Sequence, residues 1–136
     1  MKIMLDEGAV MPTRAHSWDA GLDLYAKEDG YIPSECSSEF DTGVHLEIPK
    51  GFYGAVRSRS GLMMKNSIVT DGTIDAGYIG SIRVKLFNHG ITAYKVNAGD
   101  KIAQLVIQPC VCPPLELVDS MDETDRGSNA FGSTGR

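Results

Sequence analysis

The chain has 136 residues, enough for one domain with a real core and too few for two. Its 18 acidic residues outnumber 13 basic ones, giving a formal net charge of −5 and a pI near 5.1. That balance argues against direct nucleic-acid binding, so any bound anion must be met by locally focused cations or a metal. No apolar run approaches the length of a membrane span, and the N-terminus lacks the apolar block of a signal peptide.

Short alternating strands are predicted at 3–5, 22–26, 30–32, 38–41, 44–48, 52–56, 82–87, 92–96, 101–108 and 115–118. Gly, Pro, Asp and Asn punctuate them, as in Ile48-Pro49-Lys50-Gly51 and Asn97-Ala98-Gly99-Asp100. Only 61–66 has room for a helix, with Ser60 placed to cap it. The pattern is all-β: a sandwich, barrel or jelly roll. So many strands in so short a chain leave edges and apolar faces that call for oligomerisation. A β domain is expected over 1–119 and a tail over 120–136. Cys36, Cys110 and Cys112 read as free thiols in a reducing cytoplasm, since the Cys-x-Cys pair lacks partners for zinc. His16, His45 and His89 are scattered without metal-ligand spacing and read as surface or loop residues.

Five blocks carry chemistry. Ala20-Gly21-Leu22-Asp23-Leu24 sets a carboxylate in an apolar strand start. Arg57-Ser58-Arg59-Ser60-Gly61-Leu62 brings basic and hydroxyl groups to the helix start, where free N–H groups favour phosphate. Gly72-Thr73-Ile74-Asp75-Ala76-Gly77-Tyr78-Ile79-Gly80 reads as a glycine-punctuated hairpin with one acid and one ring, able to read a base edge while Asp75 faces a water. Gly99-Asp100-Lys101-Ile102-Ala103-Gln104-Leu105 is a turn entering a strand, with the Gln104 amide among apolar neighbours. The last eleven residues, from Arg126 to Arg136, cannot build a core, yet their arginines, hydroxyls and glycines suit a phosphate, and Phe131 offers a ring face for a base.

In this order the five blocks resemble the homotrimeric dUTPase family (deoxyuridine triphosphate nucleotidohydrolases), over nearly the whole chain. The resemblance implies a distorted jelly-roll β-barrel, a homotrimer whose active sites are shared between subunits, and Mg²⁺-assisted hydrolysis of dUTP to dUMP and pyrophosphate. It implies Asp75 as the base that activates the attacking water, and Tyr78 as the ring beneath the deoxyribose that rejects a ribose. Thr73, Ile74 and Arg83 are similar to the uracil-reading edge, and Arg59, Ser60, Gly61 and Gln104 to the phosphate contacts. Asp23 is similar to the acid that holds Mg²⁺ through water. Arg126, Ser133 and Thr134 are similar to the γ-phosphate clamp, and Phe131 with Gly132 to the tail that covers uracil.

Some positions depart from the family. Asn129 and Ala130 stand where it usually has two glycines, and 63–71 is a few residues shorter, with Thr70 or Asp71 at the place of a base-contacting Asn. The hairpin block also resembles dCTP deaminases, but Lys85 stands where those place a Glu. A nucleotide-dependent regulatory protein on the same fold is the alternative outside enzymology.

Overall fold

In the computed structural model, which describes residues 1–128, the chain runs through eleven strands and one short helix among the described residues. The first half holds β1 (Ile3–Leu5), β2 (Gly21–Tyr25), β3 (Gly30–Ile32), β4 (Ser37–Asp41), β5 (Val44–Leu46) and β6 (Phe52–Arg57). Then come α1 (Ser60–Asn66), β7 (Ile68–Val69), β8 (Asp71–Ile74), β9 (Arg83–Asn88), β10 (Tyr94–Val96) and β11 (Lys101–Pro109). All pairings are antiparallel: β2-β11-β6-β8 form one sheet, β4-β9-β7 a second, and β1-β5 and β3-β10 are two-stranded ribbons. This is a distorted jelly roll. Most expected strands fall within a residue or two of the observed ones.

Alternation builds the core. On β9, Val84, Leu86 and Asn88 point inward while Arg83, Lys85 and Phe87 point out. On β11 the register shifts between Lys101 and Ala103, so a bulge lets the consecutive Ile102 and Ala103 both be buried. Together with Leu24 on β2 and Leu105 on β11, these residues close one core between the two larger sheets.

Three expectations are corrected. No strand forms at 115–118: Pro113 and Pro114 precede it, it pairs with no strand among the described residues, and Leu115 and Leu117 are 99% and 100% exposed. Residues 111–128 are exposed and form no strand or helix. Ser60 is not the helix cap. Arg59 holds that position in extended conformation, and its donor-only guanidinium cannot accept from the helix N–H groups; it donates instead to Asp23 and the Lys101 carbonyl. Finally, Gly72–Gly80 is no hairpin, since β8 pairs with β6 and β9 pairs with β4 and β7. It is a corner where the chain changes sheets, turned at Gly77 with φ +89°.

Candidate functional site

Strand register gathers four polar side chains into a row across the first sheet. Asp23 on β2 lies opposite Gln104 on β11, Gln104 opposite Arg57 on β6, and Arg57 opposite Asp71 on β8. Directly paired residues share a face, so all four project from the same side. Arg57 and Asp71 form an exposed ion pair. Gln104 is left between two charged centres, and its amide makes no side-chain hydrogen bond among the described residues.

Asp23 is the electrostatic hub. Its side chain is only 11% exposed; Arg59 Nε donates to its Oδ1 at 3.2 Å and Lys101 Nζ sits 2.8 Å from its Oδ2. That contact raises the Lys101 pKa, the hydrogen bond to Asp23 being the larger cause and charge attraction the next. Asp23, Arg59 and Gln104 line one cleft of about 350 Å³, with Ala15, Asp19 and Gly21 completing its wall. Gly21 leaves room for the Gln104 amide: a Cβ there would stand 2.3 Å from Gln104 Oε1 and displace it. Ser60 and Gly61 open α1 directly beyond Arg59 and are exposed.

The second group sits on the sheet-changing corner. Thr73 and Ile74 end β8 opposite Ala55 and Gly54. Asp75 and Tyr78 close a turn through Tyr78 N–H to the Asp75 carbonyl at 3.2 Å, and both side chains are exposed. The Tyr78 hydroxyl donates to the Ser81 carbonyl at 3.0 Å, which lays the ring over Gly80. Arg83 is ion-paired with Glu39 and lines a separate groove with Tyr31 and Asp41. Within one chain, then, Asp23, Arg59 and Gln104 come together, while Asp75, Tyr78 and Arg83 line other surfaces. Arg126 lies in the exposed C-terminal segment. Phe131, Gly132, Ser133 and Thr134 lie outside the described residues, as do Asn129 and Ala130.

Lys101 was absent from the sequence-based site, although it opens the same block as Gln104; only the register shows it reaching Asp23. Thr70 is buried and Asp71 is taken up by Arg57, so Asp71 fills the place of the base-contacting Asn only by exchanging that ion pair. His45 is not a loop residue. It lies on β5, its side chain 18% exposed, between Asp6 and the Ile79 carbonyl.

The dUTPase family matches residues 7–135. The chain belongs to the dUTPase family. A relative from Gloeothece citriformis, named deoxyuridine 5'-triphosphate nucleotidohydrolase, is 46% identical over 134 residues, covering 96% of this chain and 92% of that one. A Schizosaccharomyces pombe protein, named a probable deoxyuridine 5'-triphosphate nucleotidohydrolase, is 45% identical over 96% of this chain and 94% of its own. Among solved structures, a mutant Staphylococcus bacteriophage 80alpha dUTPase with dUpNHpp superposes with TM-score 0.92 at 30% identity, covering 99% of this chain and 98% of that one. A mutant dUTPase from phage phi11 of S. aureus, described for its coordination of a structural Mg(II) ion, reaches TM-score 0.83 at 31% identity over 90% of this chain and 98% of that one. The matched region takes in all five blocks except the last residue, Arg136. No helix among the described residues is long and apolar enough to cross a membrane.

Proposed function

We propose that the protein hydrolyses dUTP to dUMP and pyrophosphate, limiting uracil in DNA and supplying dUMP for thymidylate synthesis. The observation that carries the reading is the cleft in which Asp23, Arg59 and Gln104, distant in sequence, meet on one face of the sheet. Arg59 offers a forked donor and Gln104 an amide without a side-chain hydrogen bond among the described residues, a pair suited to phosphate oxygens. Asp75, exposed on its corner, orients the attacking water and takes its proton as the water's oxygen reaches the α-phosphorus. Tyr78, held by the Ser81 carbonyl, presents its ring face to the sugar, where a ribose 2′-hydroxyl would collide or lose its partners. Thr73, Ile74 and Arg83 read the uracil edge. The 120–136 tail closes over the bound nucleotide, Arg126, Ser133 and Thr134 on the γ-phosphate and Phe131 and Gly132 over the base, which excludes water and fixes the line of attack.

Mg²⁺ fits the donor set only as a partner of the substrate. Among the described residues no three His, Cys, Asp or Glu side chains could hold a metal together. Magnesium nevertheless binds commonly through one carboxylate, waters and substrate phosphates, and Asp23 supplies that carboxylate. Bound there, the ion supplies positive charge to the phosphate oxygens.

Three copies of the chain complete the sites between them. Asp75, Tyr78 and Arg83 do not line the Asp23 cleft of their own chain, and the exposed Leu115 and Leu117 offer apolar surface for a neighbour. Free Cys36, Cys110 and Cys112 suit a reducing cytoplasm. Lys85 stands over the Phe87 ring at 5.6 Å on the outer face of β9, a cation where deamination needs a proton-shuttling acid.

Product analysis by ion exchange tests the reading, with Mg²⁺ and separate dUTP, dCTP, UTP and dTTP. Pyrophosphate and dUMP are expected from dUTP alone. Asp75→Asn is expected to bind dUTP without turning it over; unchanged turnover would remove Asp75 as the base, and ammonia release from dCTP would favour the deaminase.

A further inference from the structure

The corner that carries Asp75 and Tyr78 is stitched to the segment between β4 and β5. Ile82 N–H donates to the Val44 carbonyl at 2.8 Å, and the Ile82 carbonyl accepts from Thr42 N–H at 3.1 Å and from the Thr42 hydroxyl at 2.7 Å. The Ser81 hydroxyl bonds Asp41. One further tie reaches nearer the tip: His45 Nδ1 stands 2.8 Å from the Ile79 carbonyl, the residue directly after Tyr78. The other ring nitrogen, Nε2, stands 3.1 Å from Asp6 Oδ1. Both partners accept only, so both bonds are made together by the imidazolium and not by neutral imidazole.

We infer that His45 is a positioning residue for the proposed reaction: its imidazolium pins Ile79 and thereby fixes the corner that presents Asp75 and Tyr78. The inference rests on the dUTP-hydrolysis reading for its effect on turnover. The groups that face His45 fit a cationic ring. Asp6 follows β1, and Asp41 ends β4; Lys27 lies 3.7 Å from Asp6 and 3.4 Å from Asp41. From the 79–82 side come only the Ile79 carbonyl and the Ser81 hydroxyl. Lys2 and Glu47, in the same groove, pair with each other at 2.9 Å and cancel, so two carboxylates against one ammonium leave a negative balance that the imidazolium offsets. The His45 pKa is raised accordingly, first by the Ile79 carbonyl and then, against partial burial, by Asp6 and Asp41.

As pH rises through that raised pKa, the ring keeps one N–H for two acceptors. The charged Asp6 competes for it better than a neutral carbonyl, so Ile79 is released. Ser81 and Ile82 stay tied, and only the tip from Asp75 to Ile79 loosens. Turnover and sugar discrimination therefore change more than global stability.

The test follows dUTP and UTP hydrolysis from about pH 5.5 to 9 for wild type, His45→Ala and His45→Asn, with thermal denaturation alongside. In wild type, kcat falls on the alkaline side around a group titrating above an ordinary histidine. His45→Ala lowers kcat about tenfold, KM less, and narrows the preference for dUTP over UTP. His45→Asn, whose amide N–H reaches where Nδ1 stood but does not titrate, restores kcat and abolishes the alkaline fall. Equal kcat and equal sugar preference per folded molecule in His45→Ala, or an unchanged alkaline fall in His45→Asn, overturns the inference. Hydrogen exchange of the amides of Ala76, Gly77, Tyr78 and Ile79 separates it from the parent reading. Their protection should drop above the His45 pKa in wild type and not in His45→Asn, whether or not dUTP is the substrate. Protection that changes alike in both proteins also overturns it.

Discussion

Gly21→Ala separates packing from chemistry at the cleft. The new Cβ would stand 2.3 Å from Gln104 Oε1, 3.0 Å from its Cβ and 3.1 Å from its Cδ, so the amide must leave its place. Gln104 is half-buried and its end is flexible, and the clash is relieved by rotation toward solvent. Replacing Gly also stabilises by about 0.4–1 kcal/mol through the unfolded chain. These terms nearly cancel, and stability should change by less than about 1 kcal/mol. Activity should not be spared. A hydrogen bond to a charged group contributes about 1.5–3 kcal/mol, and each 1.36 kcal/mol is tenfold in rate, so kcat/KM for dUTP should fall roughly 10- to 100-fold. Pyrophosphate release and a thermal melt measure the two quantities on one sample. Gln104→Ala should show a similar loss, and the double variant should lose no more than either single one. A large fall in Tm with kcat/KM intact, or additive losses in the double variant, would refute the role given to Gln104.

Asn88→Ala should destabilise by about 3 kcal/mol without altering the cleft, because it strands buried partners. Its Nδ2 donates to the Ile32 carbonyl at 3.1 Å and the Thr92 carbonyl at 2.8 Å, and its Oδ1 accepts from Gly90 N–H at 2.8 Å. Urea unfolding checks this. Asp41 should make the protein acid-sensitive. Partial burial raises its pKa, but the Ser81 hydroxyl, the Gly43 N–H and Lys27 outweigh that and hold it at about 2, against 3.8 unfolded. A depressed carboxylate stabilises the fold above its unfolded pKa, and that stability is lost as pH falls from about 4 to about 2. The loss is about 2 kcal/mol, and in Asp41→Asn the urea midpoint should lose this part of its pH dependence.

Local pattern made much of the fold legible. The alternation in Arg83-Val84-Lys85-Leu86-Phe87-Asn88 and the Asn97-to-Asp100 turn announce a strand and its boundary without tertiary help. Leu115-Glu116-Leu117 alternates just as well, yet it follows Pro113-Pro114 and pairs with no strand among the described residues, which leaves both leucines exposed. The reverse holds for Ile68–Val69 and Asp71–Ile74: their few apolar residues are a weak signal, and they become strands because β9 and β6 present edges to them. The site divides in the same way. Asp23, Arg59 and Gln104 stand out as polar groups in apolar or basic settings. Lys101 and His45 did not, because their roles come from cross-strand register and from a carbonyl more than thirty positions away.

Charge balance ties the parts of the proposed site together. Around the cleft, Arg59 on its wall and Lys101 against Asp23 are opposed by Asp23 and Asp19, so these four groups come close to neutrality. Arg57 is likewise cancelled by Asp71, and Arg83 by Glu39. A chain with net charge −5 has no long-range field to draw a triphosphate, and its local cations are already paired. Binding must therefore exchange partners. A phosphate that takes Arg59 loosens that residue's hold on Asp23, leaving Lys101 as its remaining partner, and a carboxylate so loosened suits a hydrated divalent ion. In the proposed site, substrate and metal would then stabilise each other's binding. Asp23→Asn should uncouple them: phosphate contact would persist, while the gain in nucleotide affinity on adding Mg²⁺ would disappear. Calorimetric titration with a non-hydrolysable dUTP analogue, with and without Mg²⁺, measures that gain, and an equal gain in wild type and variant would refute the exchange.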